Sequence, residues 1–227
     1  MKKDYLCIIP ARGGSKTIKN KNLRLINKEP LISFTIKAAI NSKKFSEIIV
    51  SSDSKKILDY SKKFEVKLHK RSKKNSKNIS TTHDAVKEII NSNFLNFNNK
   101  NIVILQPTSP FRKAHHIKEA INLFEKYDNA DCLVSVQKCP HNMIPESLMK
   151  RSKKYLTFYQ KNSLYRKQDK PSYFARNGAA IYITKHNRIQ KYILGGKILF
   201  YEMNKIDSID IDDYEDLEIA RIIASKN

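Results

Sequence analysis

The sequence predicts an α/β fold in which a mostly parallel sheet lies between two layers of helices. Short apolar runs, many of them rich in isoleucine and valine, alternate along the chain with segments whose apolar residues recur at helical spacing. The 227 residues are enough for one large domain with a substantial core, and 40% of them are hydrophobic. We therefore expect a single three-layer domain over residues 1–227.

The predicted elements follow one another in a regular order. Apolar runs predict strands at residues 5–9, 47–51, 66–68, 101–105, 131–136 and 177–183. Helical spacing predicts helices at residues 31–40, 55–64, 80–91 and 114–127, the last of them introduced by Ser109. The pattern breaks over residues 138–173, which contain three prolines. A stretch of this length is either functional or a flexible insertion outside the core.

A glycine-containing basic loop follows the first predicted strand, at the edge where open α/β sheets bind ligands. It reads Pro10-Ala11-Arg12-Gly13-Gly14-Ser15-Lys16, with Lys21 and Asn22 shortly after. Two adjacent glycines let the backbone approach a ligand, and their N–H groups can surround a polyphosphate together with the neighbouring polar and basic side chains. The spacing matches neither a P-loop nor a dinucleotide fingerprint, so a solvated basic loop is the alternative.

An acidic segment near the C-terminus stands out in this basic chain. In Ser208-Ile209-Asp210-Ile211-Asp212, strand alternation places the two aspartates on one face. Paired carboxylates suit Mg²⁺, which also binds water and substrate phosphates. The acids that follow, Asp213, Glu215 and Asp216, suit the first turn of a helix, with Asp213 as its N-cap. We therefore expect a metal site at Asp210 and Asp212 and helix capping by the other three.

The composition limits the remaining classes of function. The net charge of +22 is compatible with nucleic-acid binding, but the lysines are scattered and no known nucleic-acid-binding motif organises them. We expect no dedicated nucleic-acid partner, and a charge that steers anionic substrates toward the site. Three cysteines without a C-x-x-C pair predict neither a disulfide nor a zinc site. No apolar run of membrane-spanning length and no signal peptide is evident, so we expect a cytoplasmic protein without a membrane partner.

Four segments of the chain, in order, resemble the signatures of the CMP-sialic acid synthetase (acylneuraminate cytidylyltransferase) family. They are the basic loop at residues 8–22, Leu105-Gln106-Pro107-Thr108-Ser109-Pro110-Phe111-Arg112, Asn177-Gly178-Ala179-Ala180-Ile181-Tyr182-Ile183 and Ser208-Ile209-Asp210-Ile211-Asp212. The resemblance implies a Rossmann-like nucleotidyltransferase sheet, and an arm at residues 138–173 that exchanges with a second subunit in a homodimer. It also implies transfer of CMP from CTP to the anomeric hydroxyl of a nonulosonic acid such as N-acetylneuraminate, with release of pyrophosphate and Mg²⁺ as cofactor.

The resemblance assigns roles to individual residues. The implied catalytic residues are Arg12, Lys16, Lys21 and Asp212. The implied nucleotide-binding residues are Ala11, Arg12, Gly13, Gly14, Ser15, Lys21, Asn22, Arg71 and Thr82. The implied sugar-binding residues are Gln106, Arg166, Lys167, Asn177 and Tyr182, and the metal ligands are Asp210 and Asp212. A sugar carboxylate needs a cation, for which Arg166, Lys167 and Arg176 are the candidates.

Two alternatives stay open at this point. Within the same reaction class, the acceptor is another keto-sugar acid, such as a legionaminate, a pseudaminate or Kdo, because a few pocket side chains set that choice. In a different class, the chain is a basic α/β protein that binds nucleic acid with a steep dependence on salt.

Overall fold

The computed structural model describes residues 5–15, 17–72, 75, 81–92, 100–160, 166, 171–178 and 180–226. Lys16 and Lys167, both named above as candidate site residues, lie outside the described residues. The strands are β1 (Tyr5–Pro10), β2 (Leu25–Ile26), β3 (Glu29–Pro30), β4 (Phe45–Ser52), β5 (Lys67–Lys70), β6 (Asn101–Ile104), β7 (Cys132–Lys138), β8 (Met149–Ser152), β9 (Tyr155–Phe158), β10 (Phe174–Arg176), β11 (Tyr182–Thr184) and β12 (Ile198–Glu202). The helices are α1 (Leu31–Ser42), α2 (Lys55–Ser61), α3 (Thr82–Asn91), α4 (Ala114–Lys126) and α5 (Tyr214–Ala224), and Lys21–Leu23 form a 3-10 turn.

Eight strands form the central sheet, in the order β10-β7-β11-β6-β1-β4-β5, with β12 also paired to β7. Strands β5, β4, β1 and β6 are mutually parallel. Strand β11 is antiparallel to both β6 and β7, and β12 is parallel to β7, so β7 and β12 run in the same direction as the first four. Only β10 and β11 run the other way among the described strands of this sheet. The predicted mostly parallel sheet is confirmed, and the carboxyl ends of six strands meet at one edge.

Helices cover both faces of the sheet because the strands are apolar on both sides. Cys7 and Ile9 of β1 belong to a core cluster with Ile36 of α1 and Ile121 of α4. Their neighbours along the same strand, Leu6 and Ile8, pack in a second cluster with Val86 and Ile89 of α3. Burial of each such aliphatic side chain contributes about 1.5–3 kcal/mol. The predicted three-layer arrangement follows from this alternation.

Helix α5 packs at the edge of the domain against the loop that follows β1. Leu217 and Ala220 of α5 form a third core cluster with Ile18, Leu31 and Ile211. Asp213 is the N-cap, accepting a hydrogen bond from the Asp216 backbone, and the Asp216 side chain accepts one from the Asp213 backbone. The predicted capping role is therefore confirmed for Asp213 and Asp216, while Glu215 lies in the first turn without a capping hydrogen bond. This helix anchors the acidic segment beside the basic loop.

Three features differ from the sequence prediction. Of the strand predicted at 177–183, only the last two residues lie in a strand, β11, which begins at Tyr182. Strand β10 ends before the predicted range, and the chain turns at Gly178, whose φ is 61°. Helix α4 begins after Lys113 instead of at Ser109, which is fully buried and lies in a turn closed by the Arg112 N–H. Strand β12 was missed, although its sequence Ile198-Leu199-Phe200-Tyr201 is a short apolar run of the kind that predicts a strand. It pairs in parallel with β7.

A hairpin of β8 and β9 lies within the segment that showed no periodic pattern. All eight residues of the two strands are exposed, including Met149, Leu156 and Phe158. An isolated two-stranded hairpin is only marginally stable in water. Exposed apolar side chains on such a hairpin are typical of a surface that binds another protein surface. Among the described residues, no helix combines the length and apolarity needed to cross a lipid bilayer.

Candidate active site

A cleft of about 560 Å³ opens at the carboxyl edge of the sheet, beyond the ends of β1 and β6. Its size suits a nucleotide-sized ligand. Nine of the residues predicted for the site line it: Arg12, Ser15, Lys21, Asn22, Arg71, Thr82, Gln106, Asp210 and Asp212. They come from five separate parts of the chain, and the parallel sheet brings them together because the strands end at one edge. The cleft therefore contains most of the predicted phosphate and metal residues.

The basic loop is held in place by its own backbone and by β4. Ala11 is fully buried, and its N–H donates to the Ser51 carbonyl over 2.9 Å. The Gly13 N–H donates to Asp53 Oδ1 over 2.7 Å. A Cβ atom at Gly13 would lie 2.7 Å from Ser54 Cβ, whereas one at Gly14 would meet nothing within 4 Å. Gly13 thus serves close packing of the loop, and Gly14 faces open space where a ligand can approach.

Asn22 and Lys21 connect the loop to the rest of the site. The buried Asn22 donates from Nδ2 to the Arg12 carbonyl over 2.9 Å, which fixes the backbone beside the cleft. Lys21 Nζ donates to the Ile211 carbonyl over 2.7 Å and lies 3.6 Å from Asp212 Oδ1. The Thr17 hydroxyl donates to the Asp212 carbonyl. These contacts join the basic loop to the acidic segment, although the two are about 190 residues apart in sequence.

The acidic segment is not a strand, although the prediction used strand alternation: Ser208 ends a turn, and residues 209–212 have no regular secondary structure. It lies beyond β12 and before α5. Besides the contacts from Lys21 and Thr17, the Ile211 N–H donates to the Thr108 carbonyl over 2.9 Å. The fully buried Ile211 points into the core while Asp210 and Asp212 both line the cleft, so the predicted alternation holds without a sheet partner. The prediction that both carboxylates share one face is confirmed, and only the strand is wrong.

The two carboxylates differ in their environment. The Asp212 side chain is 79% exposed. Asp210 is mostly buried, and burial raises the pKa of its carboxyl to about 6, with the Asp212 charge acting in the same direction and Thr108 and Lys21 opposing the rise. Asp210 Oδ1 and the Thr108 hydroxyl are both buried, and neither has a partner in hydrogen-bonding geometry among the described residues. A buried, unpartnered carboxylate oxygen beside a second carboxylate is the donor set that suits a hard cation.

A divalent cation here would be held by few protein ligands. Within the described parts of the chain, no group of three or more His, Cys, Asp or Glu side chains has a metal-binding arrangement. Two carboxylates and no dedicated cage fit Mg²⁺, which keeps several waters and binds substrate phosphates, better than zinc or calcium. Asp210 and Asp212 therefore remain the fitting ligands.

Arg71 lies at the back of the cleft and is nearly buried. Its Nε donates to the Ser51 hydroxyl over 3.1 Å, and the same hydroxyl lies 3.1 Å from His69 Nδ1. Burial lowers the pKa of Arg71 from its ordinary value, although the nearby Asp53 opposes this. Thr82 begins α3, after the N-cap Thr81, and faces the same cleft. Both residues line the same cleft as the basic loop, and their nucleotide-binding role stays a prediction. Ser51 is a supporting residue that the prediction missed.

A second cleft, of about 520 Å³, adjoins the first and shares Gln106 and Asp210 with it. Its other lining residues are Arg176, Gly178 and Tyr182. A Cβ atom at Gly178 would lie 1.9 Å from Asp210 Cγ, so only glycine fits beside that carboxylate. The sequence prediction did not single out Gly178 or Thr108 for the site, although both lie in the segments that carry the family resemblance.

The remaining predicted sugar residues occupy different positions. The buried Asn177 accepts a hydrogen bond from Ser135 over 2.7 Å and donates to Ser208 over 3.1 Å and to Met203 Sδ over 3.3 Å. Its side chain thereby supports the wall of the second cleft from behind. Arg166 is exposed and lines neither cleft. The sugar-binding role of these two residues stays a prediction.

Arg112 holds the backbone of Gln106 by a hydrogen bond from within the core. It is 2% exposed, and its guanidinium donates to the Gln106 carbonyl over 3.1 Å, to the Ala180 carbonyl over 2.9 Å and to the Thr35 hydroxyl. Burial lowers the pKa of this arginine to about 10. The three oxygen acceptors connect α1, the end of β6 and the segment before β11. Arg112 is thus a structural residue behind the second cleft.

Replacing Arg112 with methionine is expected to destabilise the fold by about 3 kcal/mol, because two buried carbonyls lose their donor. Urea unfolding followed by circular dichroism measures this loss. Lys118→Met, at an exposed position of α4, is the matched control and should change stability by less than about 0.5 kcal/mol. If Arg112→Met and Lys118→Met have the same free energy of unfolding, the hydrogen bonds of Arg112 do not stabilise the fold.

Comparison with known proteins shows the family. The family model described as cytidylyltransferase matches residues 6–226. The chain is 31% identical over 229 residues to the N-acylneuraminate cytidylyltransferase of Escherichia coli O18:K1:H7, covering 100% of this chain and 53% of that protein. It is 30% identical over 214 residues to the enzyme of the same name from Streptococcus agalactiae, covering 93% of this chain and 51% of that protein. The chain spans about half the length of these curated relatives.

Solved structures agree in fold. The CMP:2-keto-3-deoxy-manno-octonic acid synthetase solved in complex with CTP is similar, with a TM-score of 0.74 and 16% identity over 98% of both chains. The 4-diphosphocytidyl-2C-methyl-D-erythritol synthase from Anaerococcus prevotii gives a TM-score of 0.67 at 14% identity, over 97% of this chain and 96% of that one. At these low identities the structural likeness shows the fold alone, and it confirms the predicted Rossmann-like nucleotidyltransferase sheet. Together with the family match over nearly the whole chain, they show that this chain belongs to the cytidylyltransferase family, as its resemblance to the CMP-sialic acid synthetases predicted.

Proposed function

We propose that the protein transfers CMP from CTP to the anomeric hydroxyl of a nonulosonic acid resembling N-acetylneuraminate, with release of pyrophosphate. The observation that carries this proposal is the pair of adjoining clefts that share Gln106 and Asp210. The first is lined by the basic loop and suits a triphosphate, and the second has room for an acceptor sugar. The shared carboxylate lies where the two substrates would meet. The names of the relatives support an acylneuraminate as acceptor.

The chemistry of the proposed reaction requires positioning and charge stabilisation more than covalent catalysis. The anomeric hydroxyl oxygen of the sugar attacks the α-phosphorus of CTP and its proton is released to water, while the bond to the bridging oxygen of the β-phosphate breaks and pyrophosphate leaves. Arg12 and Lys21 line the first cleft and balance the negative charge of the phosphates and of the leaving pyrophosphate. Asp210 and Asp212 would hold Mg²⁺, which supplies further charge neutralisation and lowers the pKa of a bound hydroxyl.

Pyrophosphate release is the direct test of this function. The protein is incubated with CTP and Mg²⁺ and with N-acetylneuraminate, a legionaminate, a pseudaminate or Kdo in turn, with a sugar-free reaction as control. We expect release only when a sugar is present, with N-acetylneuraminate among the preferred acceptors. Preference for another member of the panel would redirect the substrate assignment. A folded protein that releases no pyrophosphate with any sugar, but binds DNA or RNA with a steep salt dependence, would favour the nucleic-acid alternative.

A homodimer is the second part of the proposal, and it is supported by the exposed hairpin. Met149, Leu156 and Phe158 of β8 and β9 present apolar side chains to solvent in the single chain. Burial of such residues against a second copy would remove this exposed apolar surface. The cytoplasmic location expected from the sequence stays a prediction.

Changing Phe158 to aspartate is expected to convert the dimer into a monomer, because the apolar contact is lost and burial of a carboxylate among apolar side chains costs free energy. Sedimentation velocity measures the change, and Asp213→Asn, on the N-cap of α5, serves as a surface control. A wild-type protein that is monomeric at all concentrations would contradict the dimer.

A further inference from the structure

We infer that His116 and Asp207 form a positioning pair that holds the acidic segment so that Asp210 faces both clefts; this inference rests on the proposed function. Asp207 lies three residues before Asp210, in the turn at residues 205–208 that follows β12. His116 belongs to the first turn of α4, and its Nε2 is 3.4 Å from Asp207 Oδ2. Neither residue lines either cleft, so the pair acts on the site through the backbone that leads to Asp210.

The Asp207 carboxylate is buried and has donors around it. Its side chain is 8% exposed. Asn204 Nδ2 donates to Asp207 Oδ2, and the Asp207 backbone N–H donates to Asn204 Oδ1 over 2.9 Å. Lys113 Nζ lies 3.6 Å from Asp207 Oδ1, although most of the lysine side chain is exposed. A buried carboxylate costs free energy unless donors surround it, so these groups keep Asp207 and its turn in one position.

Helix α4 fixes the orientation of the His116 ring. The Lys113 backbone N–H donates to His116 Nδ1 over 3.0 Å. Burial lowers the pKa of His116, with the neighbouring His115 acting in the same direction and Asp207 opposing it, so the ring is neutral at pH 7. Because Nδ1 accepts a hydrogen bond, the proton of the neutral ring is on Nε2, the atom that faces Asp207. The buried ring therefore presents an N–H group to the carboxylate from a rigid helix.

Asp210 lies between two points at which the chain is held. On its C-terminal side, the Ile211 N–H donates to the Thr108 carbonyl. On its N-terminal side, Ser208 follows Asp207 directly and accepts a hydrogen bond from Asn177 over 3.1 Å. Asp210 Oδ1 itself has no partner in hydrogen-bonding geometry among the described residues. The backbone on either side therefore decides where this oxygen lies, and Asp207 holds the N-terminal side.

The pair thus relates to the proposed metal site as an outer group that orients a ligand without touching the ion. Removal of such groups typically lowers metal affinity or activity about 10-fold to 100-fold. His116 comes from α4 and Asp210 from the segment before α5, so the contact also connects the metal segment to the helix that packs on the sheet. Loss of the contact should weaken binding of Mg²⁺ at Asp210 while leaving the basic loop unchanged.

Calorimetric titration of CTP, without sugar and therefore without turnover, tests this inference. Each protein is titrated in Mg²⁺ and again in EDTA. For the wild type, Mg²⁺ should raise the affinity for CTP, because the ion binds the carboxylates and the phosphates together. For His116→Ala we expect this gain in affinity to shrink about 10-fold. Its CTP affinity in EDTA should stay within about 3-fold of the wild type, since the basic loop is intact.

His115→Ala is the matched control. His115 is the neighbouring residue of α4 and is exposed, and among the described residues no carboxylate forms an ion pair with it. Its gain in CTP affinity from Mg²⁺ should remain within about 2-fold of the wild type. The conservative variant His116→Gln should recover most of the loss, because its amide N–H can reach the place of Nε2. A gain in folded His116→Ala equal to that of the wild type would overturn the inference.

Two further variants keep the test decisive if His116→Ala does not fold. Asn204→Ala, at an exposed position, removes another donor to Asp207 and should shrink the Mg²⁺ gain about 3-fold. Asp207→Ala should shrink it about 10-fold, and the double variant His116→Ala/Asp207→Ala should lose no more than the larger single loss, because the two residues act as a unit. Variants that are less stable in urea but keep the full Mg²⁺ gain would show a structural role alone and overturn the inference.

The same titrations keep this inference distinct from the proposed function. Wild-type protein that shows the Mg²⁺ gain but releases no pyrophosphate with any sugar contradicts the proposed reaction, while a reduced gain in His116→Ala still supports the positioning pair. Wild-type turnover with an undiminished gain in His116→Ala overturns the pair and leaves the reaction standing. A wild type whose CTP affinity does not respond to Mg²⁺ overturns the pair together with the metal assignment of Asp210.

Discussion

Changing Asp210 to asparagine is expected to lower turnover at least about 100-fold while making the metal-free protein more stable. The loss of activity follows from the removal of a mostly buried carboxylate that lines both clefts and has one oxygen without a hydrogen-bond partner among the described residues. An asparagine side chain keeps the shape but supplies a neutral oxygen, which binds Mg²⁺ more weakly than a carboxylate does. Pyrophosphate release under saturating CTP and sugar measures the effect.

The gain in stability has a defined pH dependence. Burial raises the pKa of Asp210 from 3.8 to about 6, so the folded protein holds this proton at a pH where the unfolded chain has lost it. The stabilising contribution of the protonated group is complete below about pH 4 and is lost as the pH rises to about 6. In EDTA, Asp210→Asn should therefore exceed the wild type in unfolding free energy by roughly 2–3 kcal/mol at pH 7 and by much less at pH 4. Urea unfolding at both pH values measures the difference.

Asp213→Asn is the control for this experiment. Asp213 is exposed and caps α5, and asparagine is an equally good N-cap, so neither turnover nor stability should change appreciably. Turnover and Mg²⁺ dependence of Asp210→Asn equal to those of the wild type would remove Asp210 from the metal site. If Asp210→Asn is less stable than the wild type at pH 7, burial of the charged Asp210 carboxylate does not destabilise the fold.

Changing Gly178 to alanine is expected to reduce turnover about 100-fold with a modest loss of stability. The new Cβ atom would lie 1.9 Å from Asp210 Cγ, so the carboxylate has to move away from the position that both clefts share. Gly178 also has a φ of 61°, where a side chain costs about 1–2 kcal/mol. Steady-state kinetics and urea unfolding measure the two effects on the same preparation.

Gly14→Ala separates the general effect of adding a methyl group from the specific one. A Cβ atom at Gly14 would meet nothing within 4 Å, and its φ does not require glycine. This variant should unfold like the wild type. If Gly178→Ala retains full activity, the Asp210 side chain tolerates displacement and the proposed arrangement of the two clefts is wrong.

Local sequence patterns were sufficient for the elements that depend on near neighbours. The apolar run Tyr5–Pro10 is typical of a strand that is buried on both faces of a sheet. Successive residues Leu6, Cys7 and Ile8 face opposite sides of the sheet and pack against the helices there. The capping of α5 by Asp213 and Asp216 is likewise readable, because both partners lie within one helical turn. The same holds for the basic loop, whose residues are contiguous.

Local sequence patterns did not predict features that depend on partners distant in the chain. The pairing of β12 depends on the edge that β7 offers, and the exposed hairpin of β8 and β9 has no apolar face turned toward the domain core. The acidic segment was predicted as a strand because its alternation is correct, but in the structure contacts with Thr108, Lys21 and Thr17 hold it instead of a sheet partner. Periodicity reports which side chains share a face and not what lies opposite them.

The sequence by itself determined the α/β class, the basic loop, the pair of aspartates and, through its four motifs, the cytidylyltransferase family. Only the tertiary structure decided that Asp210 is buried while Asp212 is exposed, that Gly178 has to lack a side chain beside Asp210, and that Arg176 lines the second cleft while Arg166 does not. The physical reason is that residue types and their spacing specify local conformation and chemistry. Burial, and the direction in which a side chain faces, arise only when strands distant in sequence meet at one edge of the sheet.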